Sequence, residues 1–238
     1  MALRILPFRQ YSDHDVVNLF SIVDADVLDA TSDAAGGGGD AGVFVSVTSG
    51  NFDQDPVTYQ TNSYLGDTSY PFLGTTEMYP EVNLRVTGAT SGTHPLGLTL
   101  YQTAKNDENG EKLLYNPVKK DELQAVLSGQ ACPVATKGLF TFAAGGATST
   151  FSAFGNNTTT VPGNLAVIDS SNNGQMVGVT PETVDSPNTP GYRVVGHIIA
   201  TGERTSQNGQ ADYFAGTGTA GYAMVQFDAS ASWQAHGN

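Results

Sequence analysis

Apolar and polar residues alternate over short stretches along most of the chain. Val43, Val45 and Val47 alternate with Phe44, Ser46 and Thr48, and Val82, Leu84 and Val86 alternate with Asn83 and Arg85. A period of two sends successive side chains to opposite faces, so both stretches predict strands with one face buried. Leu96, Leu98 and Leu100 repeat the pattern. Asn109-Gly110 then supplies the residues of a tight type I′ turn, which predicts a hairpin returning through residues 112–115. Further short strands are expected at 131–134, 138–142, 165–169, 176–179, 194–199 and 222–227, with turn residues between them. Such a series predicts an all-β protein whose body is a short-stranded β-barrel or sandwich. No repeat of fixed period accompanies it.

One or two short helices interrupt the strands. Ser12 followed by Asp15, just ahead of Val16, Val17, Leu19 and Phe20, has the form of a capped helix start and predicts a helix near 13–20. Asn116-Pro117, a cap followed by a first-turn proline, predicts another through Leu123. Four aspartates between 24 and 33 and the run Ala34-Ala-Gly-Gly-Gly-Gly-Asp40 read as a flexible linker. The expected organisation is therefore an N-terminal part, 1–41, holding an extended arm, a short helix and the linker, and a β-rich body, 42–238. A break between two subdomains of the body is expected near the Gly-, Ser-, Thr- and Asn-rich stretch 143–163.

The first eleven residues crowd Leu3, Ile5, Leu6, Phe8 and Tyr11 together, with Arg4 and Arg9 as the only charged side chains. Arg4, Pro7 and Arg9 interrupt the apolar run that a secretory signal would need. Pro7 disfavours helix at Leu6, so the segment is expected to be extended and to offer its backbone for strand pairing. Burying each large apolar side chain contributes about 1.5–3 kcal/mol, and ordering the backbone costs about 1–2 kcal/mol per residue. These terms nearly cancel, so an isolated arm would hold weakly and would need its body or linked copies to bind. Two outcomes are open: the arm docks on a partner, or it lies on its own domain as an edge strand.

Charge narrows the partners. The net charge is −13, and Arg4 and Arg9 are the only basic residues among 1–84, against twelve acidic ones. Such a field repels phosphate backbones and anionic membranes, so neither a nucleic-acid nor a membrane partner is expected. Lys112, Lys119, Lys120 and Lys137 are interleaved with Glu111, Asp121 and Glu122, the pattern of a solvated mixed-charge face. No stretch approaches eighteen consecutive apolar residues. The single cysteine, Cys132, sits between Ala131 and Pro133 and reads as a buried structural thiol. The sequons at Asn156 and Asn157 carry weight only on a secretory route.

Catalytic and cofactor signatures are weak. Gly216-Thr-Gly-Thr-Ala-Gly221 matches the dinucleotide fingerprint, but a strand-like stretch follows it where a helix is required, which favours a glycine-rich hairpin loop. Residues 105–110 have the composition of a calcium loop, yet Lys105 stands where the first acidic ligand belongs. His14, His94, His197 and His236 show no metal-ligand spacing. The chain is thus read as a non-enzyme without cofactor or metal. A hydrolase that joins His94 or His197 to a distant acid is the enzymatic alternative.

Leu6-Pro-Phe-Arg-Gln-Tyr-Ser-Asp-His-Asp-Val-Val-Asn-Leu-Phe20 resembles the opening of virion structural proteins of tailed phages, especially those infecting cyanobacteria. Leu98-Thr-Leu through Asp107-Glu-Asn-Gly-Glu-Lys112, Pro117, Gly129-Gln-Ala131, Pro133 and Thr136-Lys-Gly138 is similar to their central part. Gly196-His-Ile-Ile through Ala223-Met-Val-Gln-Phe227 is similar to their closing strands. The resemblance implies a capsid decoration or cement protein, made in the host cytoplasm and bound to the outer surface of the virion head. Its partners would be the major capsid protein and further copies of itself, as in a trimer. Leu3, Ile5, Leu6, Phe8 and Tyr11 would pack on the capsid or a sister subunit, with Arg4 and Arg9 pairing with acidic groups there. One alternative is a tail, adaptor or baseplate protein, also β-rich and self-associating. Another is a glycan-binding spike that stacks sugars on Tyr59, Tyr64, Tyr70, Tyr79 and Trp233, for which no carboxylate pair can be placed.

Overall fold

The computed structural model describes residues 5–22, 41–49, 57–58, 81–82, 84–104, 107, 109, 111–127, 130–143, 161–168, 174–181, 192–202, 222–229 and 233–235. In chain order the strands are β1 (Ile5–Gln10), β2 (Val16–Ser21), β3 (Phe44–Ser49), β4 (Val57–Thr58), β5 (Glu81–Val82), β6 (Arg85–Gly88), β7 (Pro95–Thr99) and β8 (Gln102–Thr103). A short helix, α1 (Pro117–Glu122), precedes β9 (Ala125–Val126), β10 (Ala131–Ala135), β11 (Lys137–Ala143), β12 (Leu165–Ile168), β13 (Met176–Val179), β14 (Tyr192–Gly202), β15 (Tyr222–Asp228) and β16 (Trp233–Ala235). The fold is all-β with very few helical residues.

Two β layers share the chain. One is a closed five-stranded barrel in the order β10-β2-β6-β3-β7, its only parallel junction being Ser21 beside Arg85 between β2 and β6. The other is a seven-stranded antiparallel sheet, β1-β11-β15-β14-β12-β13, with β16 added beside the first residues of β14. The paired segments β1–β2 and β10–β11 form a ribbon that runs from the sheet into the barrel. At its corner Thr136 donates to the Asp15 carbonyl through both its N–H (2.7 Å) and its hydroxyl (3.0 Å). Gly138 lets the two strands meet there, since a Cβ would fall 2.9 Å from the Gln10 carbonyl oxygen.

The main core fills the space between barrel and sheet. Phe140, Phe142, Ile198, Val225 and Phe227 from the sheet pack with Phe44, Leu98 and Ala135 from the barrel wall. Phe44 meets Phe227 edge-on, centroids 5.3 Å apart at 82°. The barrel interior is a separate cluster of Val45, Val86, Cys132 and Val134, with Ile22 and Val126. Neighbouring residues of β3 therefore serve different cores, Phe44 outward and Val45 inward. That is why residues 41–46 are all buried, where alternation predicted one buried face.

Two expectations are corrected. Ser12 does cap a turn, its Oγ accepting from the His14 N–H at 3.3 Å, but the turn is a single 3-10 turn, Asp13–Asp15. Val16 onward is strand, because β-branched residues beside β10 gain a ladder that an isolated short helix cannot match. Residues 5–22 thus contribute to both layers, and of the two outcomes open for the first segment β1 is an edge strand on its own sheet.

Nor does a strand return through residues 112–115: among the described residues Lys112 makes an isolated bridge only. Asp107 does hold a turn, its carboxylate accepting from the N–H groups of Asn109 (2.9 Å) and Glu111 (2.8 Å). Leu113–Tyr115 then forms a 3-10 turn that buries Leu113 with Ala104, Ala125 and Leu127. β8 pairs instead with β9, in parallel. α1 follows as predicted, with the Asn116 side chain accepting from the Lys119 N–H at 3.2 Å. The linker at 34–40, the sequons, the Gly216–Gly221 stretch and residues 144–160 lie outside the described residues.

Candidate functional site

The predicted interface segment is an edge strand. β1 pairs with β11 on one side, and no described strand pairs with it on the other. The proline predicted extended backbone, and the backbone is extended. Its register is irregular: Ile5 lies opposite Phe142 and Arg9 opposite Phe140, so Leu6, Pro7 and Phe8 face Thr141 alone. Proline donates no ladder hydrogen bond and is tolerated in strands at edges and bulges, so the bulge falls where Pro7 places it.

The bulge sorts the side chains. Ile5 is 5% exposed and belongs to the main core. Tyr11 stacks on Phe140 at 5.4 Å and 12°, and the Arg9 guanidinium lies 6.0 Å from the Tyr11 ring centroid. Between these anchors Phe8 is 61% exposed. Ile5 and Tyr11 are therefore committed to their own body, while Phe8 is presented outward and Arg9 is half-buried beside it. Leu3, Arg4 and the Leu6 side chain lie outside the described residues.

A groove of about 520 Å³ lies where barrel meets sheet. Val47, Pro95 and Leu96 form its apolar wall, with Thr136 and Ala229 from the corner of the ribbon. Ala229 is fixed there by its N–H bond to the Thr136 carbonyl, at 2.8 Å. Val47 is 48% exposed, and Ser46 beside it is buried with its hydroxyl lacking a hydrogen-bond partner among the described residues. The alternation in β3 marked Val47 as a core residue. The groove carried no local signal, because its lining comes from positions 46, 96, 136 and 229. Other exposed apolar side chains among the described residues include Tyr115 and Val118 on the α1 unit, Leu19 on β2, Ile199 on β14, Tyr101 and Val161.

A smaller groove of about 290 Å³ on the sheet opens around Gly196, bounded by His197, Gln226 and the Lys137–Asp228 ion pair at 3.5 Å. Gly196 is required there, since a Cβ would fall 2.2 Å from the Gln226 carbonyl oxygen. His14, His94 and His197 are separate and exposed, and no three His, Cys, Asp or Glu residues converge among the described residues. Cys132 is buried, and desolvation pushes its thiol up to about 12, despite the Tyr101 carbonyl nearby. Such a thiol is unreactive at neutral pH. Tyr59, Tyr64, Tyr70 and Tyr79 lie outside the described residues, as does the Trp233 side chain. No described helix is long and apolar enough to cross a membrane.

Comparison of the chain with known protein families, curated proteins and solved structures finds no match.

Proposed function

We propose that this chain is a structural protein of a virion, a decoration or cement protein that binds the outside of a phage head and links major capsid subunits. The carrying observation is the edge strand β1, anchored through Ile5 and Tyr11 and presenting Phe8 between them. A rigidly held apolar knob on a protein of net charge −13 suits contact with another protein surface. The stretch that resembles the opening of phage virion proteins, 6–20, includes most of β1 and β2, and parts of a second resembling block, Gly129–Ala131, Pro133 and Thr136–Gly138, fall on their partners β10 and the start of β11. A cement protein acts by bridging: once one body holds two subunits, separating them breaks two linked contacts. The acidic charge suits an exterior position better than one lining packaged DNA.

The experiment is co-sedimentation with expanded, empty shells that lack the protein. Truncating the chain before Ser12 is the wrong control, because it removes Ile5 and Tyr11 from the core. Phe8→Asp leaves both anchors in place. The reading expects saturable binding by the native chain and binding about 10–100-fold weaker for Phe8→Asp, the loss of one buried phenylalanine. Failure of the native chain to bind shells overturns the cement role and favours a tail or baseplate component.

A further inference from the structure

The barrel closes unevenly. β2 pairs with β10 between Val16 and Ser21, β3 with β6 between Val45 and Ser49, and β3 with β7 between Phe44 and Ser46, all antiparallel. β10 and β7 pair at Val134–Thr99 and Ala135–Leu98, and the Leu100 N–H extends that junction to the Pro133 carbonyl at 2.9 Å. β2 and β6 run parallel, the less stable arrangement per residue, and among the described residues they register at Ser21 beside Arg85 alone. The Leu84 carbonyl takes both bonds there, from the Ser21 N–H at 2.8 Å and from its hydroxyl at 3.3 Å. On its other side Arg85 adjoins a bulge in the β3–β6 ladder. β5 also neighbours β2, but its register is with β4.

We propose that this junction is a gate: β2 parts from β6 at Ser21 while the seven-stranded sheet stays folded, and the barrel interior opens to solvent and small solutes. Parting there leaves every other barrel ladder in place, as an open antiparallel sheet in the order β2-β10-β7-β3-β6. The opposite end of β2 is the hinge, because Thr136 holds the Asp15 carbonyl immediately before Val16. Interior residues Val45, Val86, Cys132 and Val134 form a cluster separate from the main core, so they can lose their cover while Phe140, Phe142 and Phe227 keep theirs. Uncovering them is costly enough to keep the open state a minor one, yet it breaks far less than global unfolding does. The gate goes beyond the proposed function and needs no virion.

Cys132 reports the opening, being the chain's single cysteine and fully buried in that interior. Iodoacetamide at about pH 8 alkylates the exposed thiolate with loss of iodide, so under conditions where reclosing outruns alkylation its rate follows the open population. Two variants say which opening is read. Val167→Ala truncates a buried residue that packs with Val194, Leu165, Val177 and Val179, all in the sheet. It should raise the global unfolding constant about tenfold in urea titrations and leave Cys132 alkylation in water within about twofold of native. Ser21→Ala removes the hydroxyl bond at the junction and should speed alkylation about 2–10-fold. Alkylation that rises in step with the unfolding constant in Val167→Ala, that is unmoved in Ser21→Ala, or that never exceeds what global unfolding allows overturns the gate.

Discussion

If β1 is part of the body, truncating Ile5 must destabilise the whole fold. Ile5 is 5% exposed and sits in the cluster shared by sheet and barrel. Ile5→Ala removes the outer carbons of the side chain, worth about 0.8 kcal/mol per methylene, and leaves a cavity that adds to the loss. The expected cost is about 2–4 kcal/mol. Phe8→Ala, three residues on in the same strand, changes a side chain 61% exposed and should stay within about 0.5 kcal/mol of the native chain. Urea unfolding followed by far-UV circular dichroism measures both. Ile5→Ala should lower the midpoint by about 1 M at unchanged slope, and Phe8→Ala should not move it. Near-neutrality of Ile5→Ala would mean that the first strand is a detachable arm. Equal costs for the two variants would refute the bulge that turns one side chain in and the other out.

Two further predictions follow from buried positions. The Cys132 thiol is raised from 9.0 to about 12 in the folded protein, so between those values the unfolded chain loses a proton that the folded chain keeps. Its stability contribution is complete below pH 9 and falls as pH rises, by up to about 1.4 kcal/mol per pH unit, a slope that Cys132→Ala removes from denaturant titrations at pH 8–11. A Cβ on Gly97 would fall 2.2 Å from the Ala135 carbonyl oxygen, where β7 closes the barrel against β10. Gly97→Ala should therefore cost about 2–3 kcal/mol in thermal melting, whereas Gly92→Ala, whose nearest neighbour atom is 4.0 Å away, should change stability by less than about 1 kcal/mol.

The strands were legible wherever the pattern had a single cause. β10, β11, β12, β13 and β15 lie where alternation or short apolar runs put them, because each has apolar residues to bury and turn residues at its ends. Val16, Val17, Leu19 and Phe20 fit a helix as well as a strand; pairing with β10, more than a hundred residues later, decides between them. The turn chemistry at Asp107–Glu111 was visible, but not the pull of Leu113 into its own small core, which replaces the returning strand with a 3-10 turn. At the site, Pro7 announced an extended segment, while the separation of Ile5 from Phe8 depends on the register with β11. The groove was illegible because four distant segments build it.

The ribbon also sets a timetable for synthesis. β1 and β2 leave the ribosome before their partners β11 and β10, which end at residues 143 and 135. At about 5–20 residues per second, the first strands wait roughly 7–30 seconds before either ladder can form. β11 also pairs with β15, which ends at residue 228. During that interval the nascent chain exposes Val16, Val17, Leu19 and Phe20 with no strand to receive them, while the acidic residues concentrated in its first third hold neighbouring nascent chains apart. The ladders of β1 with β11 and of β2 with β10 can thus form only once chain more than a hundred residues further along has been made.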